Sequence, residues 1–311
     1  MATKTKQIAL GTQIWGSDVE PKRRTFWGDA WTEFRRNKLA VFGLIAMVLL
    51  ILAVLFGPYL YPTDPQYIDM AAASLSPRPG HWFGTDDLGR DGLARILFGG
   101  RITVAVGITS MVITIIIGTF IGLLSGFFRK LDNPLMRFTD LMLALPQLPL
   151  LLVIIMLFRE VLRSIFGPKM GMFVLIVSVI GLFRWMSAAR IVRGAVLSVK
   201  EKEFIEATYC IGGKPSRIIF RHILPNVLSP VIVSSTLIVA QAILDESTLS
   251  FLGLGFPSDV PTWGRLIFDG VDYMTYTPWL VFFPGLFISI TLLSINFIGE
   301  GLNDALDPRL H

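Results

Sequence analysis

Long apolar runs alternate with shorter polar stretches along the chain. Six runs stand out, at roughly 39–57, 102–124, 141–158, 171–189, 227–244 and 279–298. A hydrocarbon core of about 30 Å needs about 20 apolar residues in helical form, so each run predicts a membrane-crossing helix. The first, LAVFGLIAMVLLILAVLFG, and the second, ITVAVGITSMVITIIIGTFIGLL, are free of charge. The third contains Pro146 and Pro149 and predicts a kinked or broken helix. The fourth is clean over GMFVLIVSVIGLF and then meets Arg184, placed here at the inner end of the span, where an arginine can snorkel to the interface. A membrane barrel would need alternating segments of about 10 residues. These runs are continuous and longer, so the expected class is an all-α polytopic membrane protein of six transmembrane helices.

Composition agrees with that pattern. The 311 residues are 53% hydrophobic and 16% charged, with mean hydropathy +0.62, against about 25% charged in ordinary soluble domains. Most of the 28 Lys and Arg fall in 1–38, 125–140, 190–226 and 299–311. Placing those segments, and both termini, on the cytoplasmic side satisfies the positive-inside rule. The formal net charge of +5 is therefore loop asymmetry and gives no basis for nucleic-acid binding. The first apolar run is too long for a signal peptide and lacks a cleavage site, so it is expected to remain as a span. FWGDAWTEFRR, before it, predicts an amphipathic helix on the membrane surface.

The expected organisation is a cytoplasmic leader (1–38), a first transmembrane helix (39–57), an external loop (58–101), a core of five spans (102–303) with a cytoplasmic segment at 190–226, and a cytoplasmic tail (304–311). Catalytic chemistry is not visible. His81, His222 and His311 are far apart, the one cysteine is Cys210, and neither H-E-x-x-H nor G-x-S-x-G occurs. GGKPS (212–216) is not a phosphate loop, because Thr208 stands where the first glycine belongs and Pro215 follows the lysine. No acidic residue lies within the six runs as bounded above, which argues against a carrier powered by its own ion coupling.

The polar segment EFIEATYCIGGKPSRIIFRHILPN (203–226) separates the fourth and fifth runs. It predicts a helix over 203–211 with Phe204, Ala207, Thr208 and Ile211 on one face, a stop at Gly212 and Gly213, and a second helix opened by Pro215. The second helix should set Ile218, Ile219 and His222 or Ile223 opposite Arg217 and Arg221, with Pro225 turning the chain into the fifth span. Such a face suits a partner protein, and it also suits a surface of anionic lipid headgroups.

This segment resembles the EAA loop of bacterial ABC-importer permeases, which reads E-A-A, three residues, G, nine residues, I-x-L-P. Here the positions are Glu206, Ala207, Thr208, Gly212, His222, Leu224 and Pro225, with Thr208 and His222 departing from the pattern. FGTDDLGRDGLARILFGGRITV (83–104) and ESTLSFLGLGFPSDVPTWGRLI (246–267) resemble the C-type subunit of the dipeptide, oligopeptide and nickel branch. The resemblance implies a type I ABC-importer permease fold with an extra N-terminal span, in the bacterial inner membrane. It implies a non-enzymatic subunit that moves peptides, with no cofactor of its own. ATP and Mg would sit on two partner ATPase chains, and a second permease (as a heterodimer) and an external substrate-binding protein would complete the assembly. Glu206, Ala207, Thr208, Gly212, Gly213, Leu224 and Pro225 would then make or shape the ATPase contact. A nickel or other small-ligand permease of the same branch is an alternative, as is a membrane scaffold or sensor without transport.

Three other regions admit two readings each. In 83–104, Thr85, Asp86 or Asp87 can cap a helix, and Arg90, Arg95 and Arg101 can pair with Asp86, Asp87 and Asp91. That favours an outer rim or partner contact over direct substrate contact. Glu246 reads as a solvated loop acid in preference to a pathway residue, and Trp263 suits the membrane interface. The hydroxylated and amide positions Ser229, Ser234, Ser235, Thr236, Gln241, Ser289, Thr291, Ser294 and Asn296 serve either close helix packing or a polar pathway.

Overall fold

The computed structural model describes residues 26–306, so residues 1–25 of the leader and 307–311 of the tail, His311 included, lie outside the described residues. Among the described residues ten helices carry the fold: α1 (Phe26–Arg36), α2 (Lys38–Leu60), α3 (Gly92–Phe127), α4 (Arg129–Ala144), α5 (Gln147–Phe166), α6 (Pro168–Lys200), α7 (Glu203–Cys210), α8 (Pro215–Phe251), α9 (Trp263–Val271) and α10 (Trp279–Leu306). Five of them, α2, α3, α6, α8 and α10, are long and apolar enough to cross a membrane. The bent pair α4 and α5 makes a sixth if counted as one span.

The centre is the crossing of α3 and α6, the most extensive helix pair in the molecule. Its cause is a glycine ladder, Gly118, Gly122 and Gly126, spaced one per turn on α3. A Cβ on Gly118 would stand 2.6 Å from Ala188 Cβ, on Gly122 2.6 Å from Val192 Cβ, and on Gly126 2.7 Å from Val196 Cβ. Glycines at these positions let the backbones approach, as small residues do in membrane helix pairs. Around the crossing, Met172, Ile176 and Ile180 of α6 pack with Leu151 and Ile155 of α5 and with Ala242 and Leu249 of α8.

Proline explains the break in the third run. α4 ends at Ala144, Pro146 precedes α5, and the two helices bend by 86°. α4 is tied to α6 by bidentate Arg193–Asp132 bonds of 2.5 and 2.7 Å and by Arg190–Asp140. α1 forms as expected, and its Ala30 and Phe34 pack against Ala305 and Leu306 of α10. Asn37 caps α2 by accepting from the Leu39 and Ala40 amides, both at 3.1 Å.

Several helix ends differ from the sequence expectation. α3 begins at Gly92, within the segment expected as loop, because Asp91 caps it through the Ala94 amide at 2.8 Å. Thr85, Asp86 and Asp87 therefore cap no helix there. α6 continues to Lys200, which places Arg184 at the midpoint of the helix. α8 continues to Phe251 and so contains Asp245 and Glu246. Both acids lie in the last two turns of the helix, beyond the apolar run 227–244, where an arginine or hydroxyl groups can meet a buried carboxylate.

Candidate functional site: the elbow and the outer ion-pair cluster

At one end of the helix bundle the chain makes an elbow between α6 and α8. α7 is short, and Ile205 alone is buried on it. Ile205 joins Val192, Val196 and Val199 of α6 and Ile218, Ile219, Ile223 and Val227 of α8 in one apolar cluster. The face expected to be free for a partner or for lipid headgroups is uncovered in this chain. Phe204 and Ile211 are exposed, Ile211 at 85%, as are Tyr209 and Phe220. A two-turn helix has room to bury one side, and Ile205 takes it.

Gly212 and Gly213 stop α7 in a defined geometry. Gly212 has φ 77°, the left-handed region that favours glycine. The Gly212 amide donates to Tyr209 O at 3.0 Å and the Gly213 amide to Thr208 O at 2.9 Å, the paired bonds of a Schellman cap. A Cβ on Gly213 would meet Thr208 O at 2.7 Å. Thr208 Oγ1 donates to Phe204 O at 2.7 Å. Glu206 and Ala207 are exposed on the outer side of α7.

Beyond the stop, Pro215 opens α8 as expected. Ile218, Ile219 and Ile223 are buried, while Arg217 and Arg221 are exposed. Pro225 does not turn the chain. Residues Ile218–Ile223 form a π-helical turn in which the Leu224 amide bonds to Ile219 O, and the helix runs on through Leu224 and Pro225. The wider turn accommodates a residue that lacks an amide proton, and Asn226 Nδ2 covers His222 O at 2.7 Å. α7 and the start of α8 enclose an open recess of about 500 Å³, bordered by Thr208, Ile211, Lys214, Arg217, Arg221 and His222. The elbow is anchored inward by isoleucines and carries uncovered aromatic and basic groups outward.

At the opposite end, the 61–91 connection folds over α3 and α9. Asp86 Oδ1 accepts from the Leu88 and Arg90 amides at 3.0 and 2.9 Å, and Oδ2 accepts from Arg90 Nε at 2.7 Å and from Arg95 Nη1. Arg95 also donates to Asp269 at 3.2 Å and is buried. The structure thus joins Asp86, Arg90 and Arg95 and adds Asp269, which the sequence reading missed. Asp91 is engaged elsewhere, with Tyr61 Oη at 3.0 Å and His81 Nδ1 at 2.9 Å. Burial first, and then the neighbouring Asp91, push the Tyr61 phenol above its ordinary value. Asp87 accepts from Tyr273 Oη at 3.3 Å. Arg101 pairs with no acid among the described residues and instead donates to the Val54 and Leu55 carbonyls.

Glu246 is fully buried, contrary to the reading as a solvated loop acid. Its Oε1 accepts from Ser250 Oγ at 2.8 Å. Hydroxyls of Thr262, Thr103 and Ser247 surround it, and Oε2 has no partner among the described residues. Trp263, expected at the interface, is fully buried beside this group, with Nε1 donating to Ile96 O at 3.0 Å. Ser235 is half-buried and donates to Ile232 O at 2.7 Å. Gln241 is half-buried, and Asn296 is exposed on α10. Among the described residues no hydrogen bond links Glu246, Ser235, Gln241 and Asn296 to one another. Thr236 has a packing role, because a Cβ on Gly299 would meet its Oγ1 at 2.6 Å. Among the described residues no group of three or more His, Cys, Asp or Glu is placed to hold a metal ion.

Residues 114–311 match the family described as the inner membrane component of binding-protein-dependent transport systems, and residues 25–77 match the N-terminal transmembrane domain of oligopeptide transport permease C. The chain belongs to the binding-protein-dependent transport permeases. This permease is 40% identical over 293 residues to the oligopeptide transport system permease protein OppC of Bacillus subtilis, covering 94% of this chain and 92% of the relative. It is 42% identical over 294 residues to OppC of Escherichia coli K12, covering 94% of each. With the dipeptide transport system permease protein DppC of Alkalihalophilus pseudofirmus it shares 38% over 285 residues, 91% of this chain and 90% of the relative. Its fold resembles a chain of the MetNI methionine ABC transporter in an inward-facing form, with TM-score 0.54 and 18% identity over 67% of this chain and 94% of that one. The ABC-importer permease fold expected from the sequence is therefore the fold of this protein, an inner-membrane transport subunit.

Proposed function

We propose that the chain is a peptide-translocating permease of an ATP-driven importer and that the 203–226 elbow couples it to a cytoplasmic ATPase. The peptide cargo is inferred from relatives that are oligopeptide and dipeptide permeases at about 40% identity across nearly the whole chain. The observation that supports the elbow assignment is its two-sidedness. Ile205, Ile218, Ile219 and Ile223 fasten it to α6 and α8, while Phe204, Tyr209, Ile211 and Phe220 stand uncovered beside a basic-edged recess. Burial of those faces against a partner is favourable by about 25 cal/mol per Å². Glu206, Ala207, Thr208, Gly212, Gly213, Leu224 and Pro225 form or shape this contact.

In this account both termini are cytoplasmic and the elbow lies on the same side. A second, related permease pairs with this chain, two ATPase chains bind ATP and Mg, and an external binding protein delivers the peptide. Closing of the ATPase pair moves the elbow, and the elbow moves α6 and α8 as rigid levers. Asp86, Asp87, Arg90, Asp91 and Arg95 build the external rim. The test replaces Glu206 by Arg or Gly212 by Asp. Membrane insertion is expected to persist, while ATPase co-purification and peptide uptake fall to background. Wild-type uptake with full ATPase retention in both variants would contradict the assignment.

A further inference from the structure

α6 and α8 meet at a charge pair in the middle of α6. Arg184 Nε donates to Asp245 Oδ2 at 2.7 Å, and Nη2 donates to Oδ1 at 2.5 Å. This arrangement uses one edge of the guanidinium. Nη1 has no partner among the described residues, and 24% of the arginine side chain is accessible against 6% for Asp245. One turn along α6 from Arg184, Ser187 is exposed. One turn to either side of Asp245 on α8, Gln241 and Thr248 are partly exposed. The two helices thus share a mixed stripe, in which the pair, Ser187, Gln241 and Thr248 lie among the exposed Leu182, Leu237 and Leu244.

The exposed surface of α2 and α3 differs in carrying no charged group over 39–57 and 102–124. Phe42, Ile45, Leu49 and Phe56 on α2 and Ile116 and Phe120 on α3 give it an apolar character suited to lipid. An arginine facing hydrocarbon at mid-helix costs about 2.5–3.5 kcal/mol on insertion scales, so charged groups within spans turn to a protein interior or to water. A stripe bearing Arg184 and Asp245 together with Ser187 and Gln241 belongs on the water side.

We propose that the free edge of the Arg184 guanidinium, held in place by Asp245, is a carboxylate-recognising point on the translocation pathway and takes the C-terminal carboxylate of a peptide in transit. This rests on the peptide cargo proposed above. A guanidinium offers two edges to planar oxyanions. Asp245 occupies one and leaves the other for the cargo. Asp245 also offsets the arginine's charge, so the hold on the cargo stays weak. A conducting site must admit its ligand and release it.

The test uses the complete transporter in proteoliposomes with its binding protein saturated by either of two probes, trialanine or trialanine amide. The wild type is expected to take up the free acid about tenfold faster than the amide, the scale of one charge-assisted hydrogen bond. In Arg184→Gln the ratio of free-acid to amide uptake, both measured on the assembled transporter, falls to about one. An unchanged ratio in Arg184→Gln, or a wild-type ratio of one, would overturn the proposal. Uptake of neither probe by the wild type would overturn the peptide reading beneath it. If Arg184→Gln fails to assemble, Ser187→Cys in the otherwise unchanged chain gives a second measurement. It should react with a water-soluble methanethiosulfonate beyond the Cys210 background in the assembled transporter, and trialanine should slow that reaction. No reaction of the introduced thiol would place the stripe in a protein interface and overturn the proposal.

Discussion

Gly212 ends α7 at φ 77°, and a Cβ there would meet nothing within 4 Å. Its replacement therefore acts through backbone strain and not through a clash. Gly212→Ala should cost about 1–2 kcal/mol locally, raising amide exchange in residues 203–211 by about tenfold, with little change in the rest of the bundle. Unchanged exchange would mean that the cap does not hold α7. Arg184 and Asp245 give a second prediction at this scale. Removing one member of a buried pair leaves an uncompensated charge, at about 3–5 kcal/mol, whereas replacing both by apolar residues is often tolerated. Asp245→Leu alone should lower the apparent Tm in detergent more than Arg184→Met with Asp245→Leu does. Equal losses would show that the two residues are not one structural unit. Neither partner was legible as such in the sequence. Arg184 looked like a span terminus and Asp245 like the start of a loop, because hydropathy marks where charges sit and is silent on whether they meet.

Among the elements, α3 and α6 depend on the Gly118, Gly122 and Gly126 ladder. Gly122→Leu would drive a side chain into Val192 Cβ and Ala189 O, which already lie within 2.7 Å of a Cβ position. Overpacking costs about 1–3 kcal/mol even where neighbours can shift, and backbone cannot shift far. Thermal denaturation should show a loss of folded permease for Gly122→Leu. Gly194→Ala on α6 faces open space and should match or exceed the wild type through helix propensity. Similar behaviour of the two would contradict the ladder. The ladder was present in the sequence and went unread, since glycine in an apolar run adds to span length without revealing which helix it faces. The break in the third run was readable at Pro146, because proline acts locally. The elbow's inward anchors Ile218, Ile219 and Ile223 were also readable from spacing. Ile205 was not, because a helix as short as α7 gives its period too few residues to fix a buried side.

For the whole molecule, the apolar runs revealed the class and the resemblance of 203–226 revealed the family. Helix lengths and the outer end did not follow. Asp91, and not an earlier residue, starts α3, and Asp269 reaches Arg95 across 174 residues of sequence, a separation that no local pattern encodes. The central claim is that the elbow is cytoplasmic and meets a separate motor. Cys210 is the one cysteine of the chain and is exposed on α7, so it reports the elbow's side directly. A membrane-impermeant maleimide should leave Cys210 unmodified in intact cells, modify it in inside-out vesicles stripped of peripheral proteins, and modify it more slowly when the ATPase chains are added back. Modification of Cys210 from outside intact cells would contradict the account.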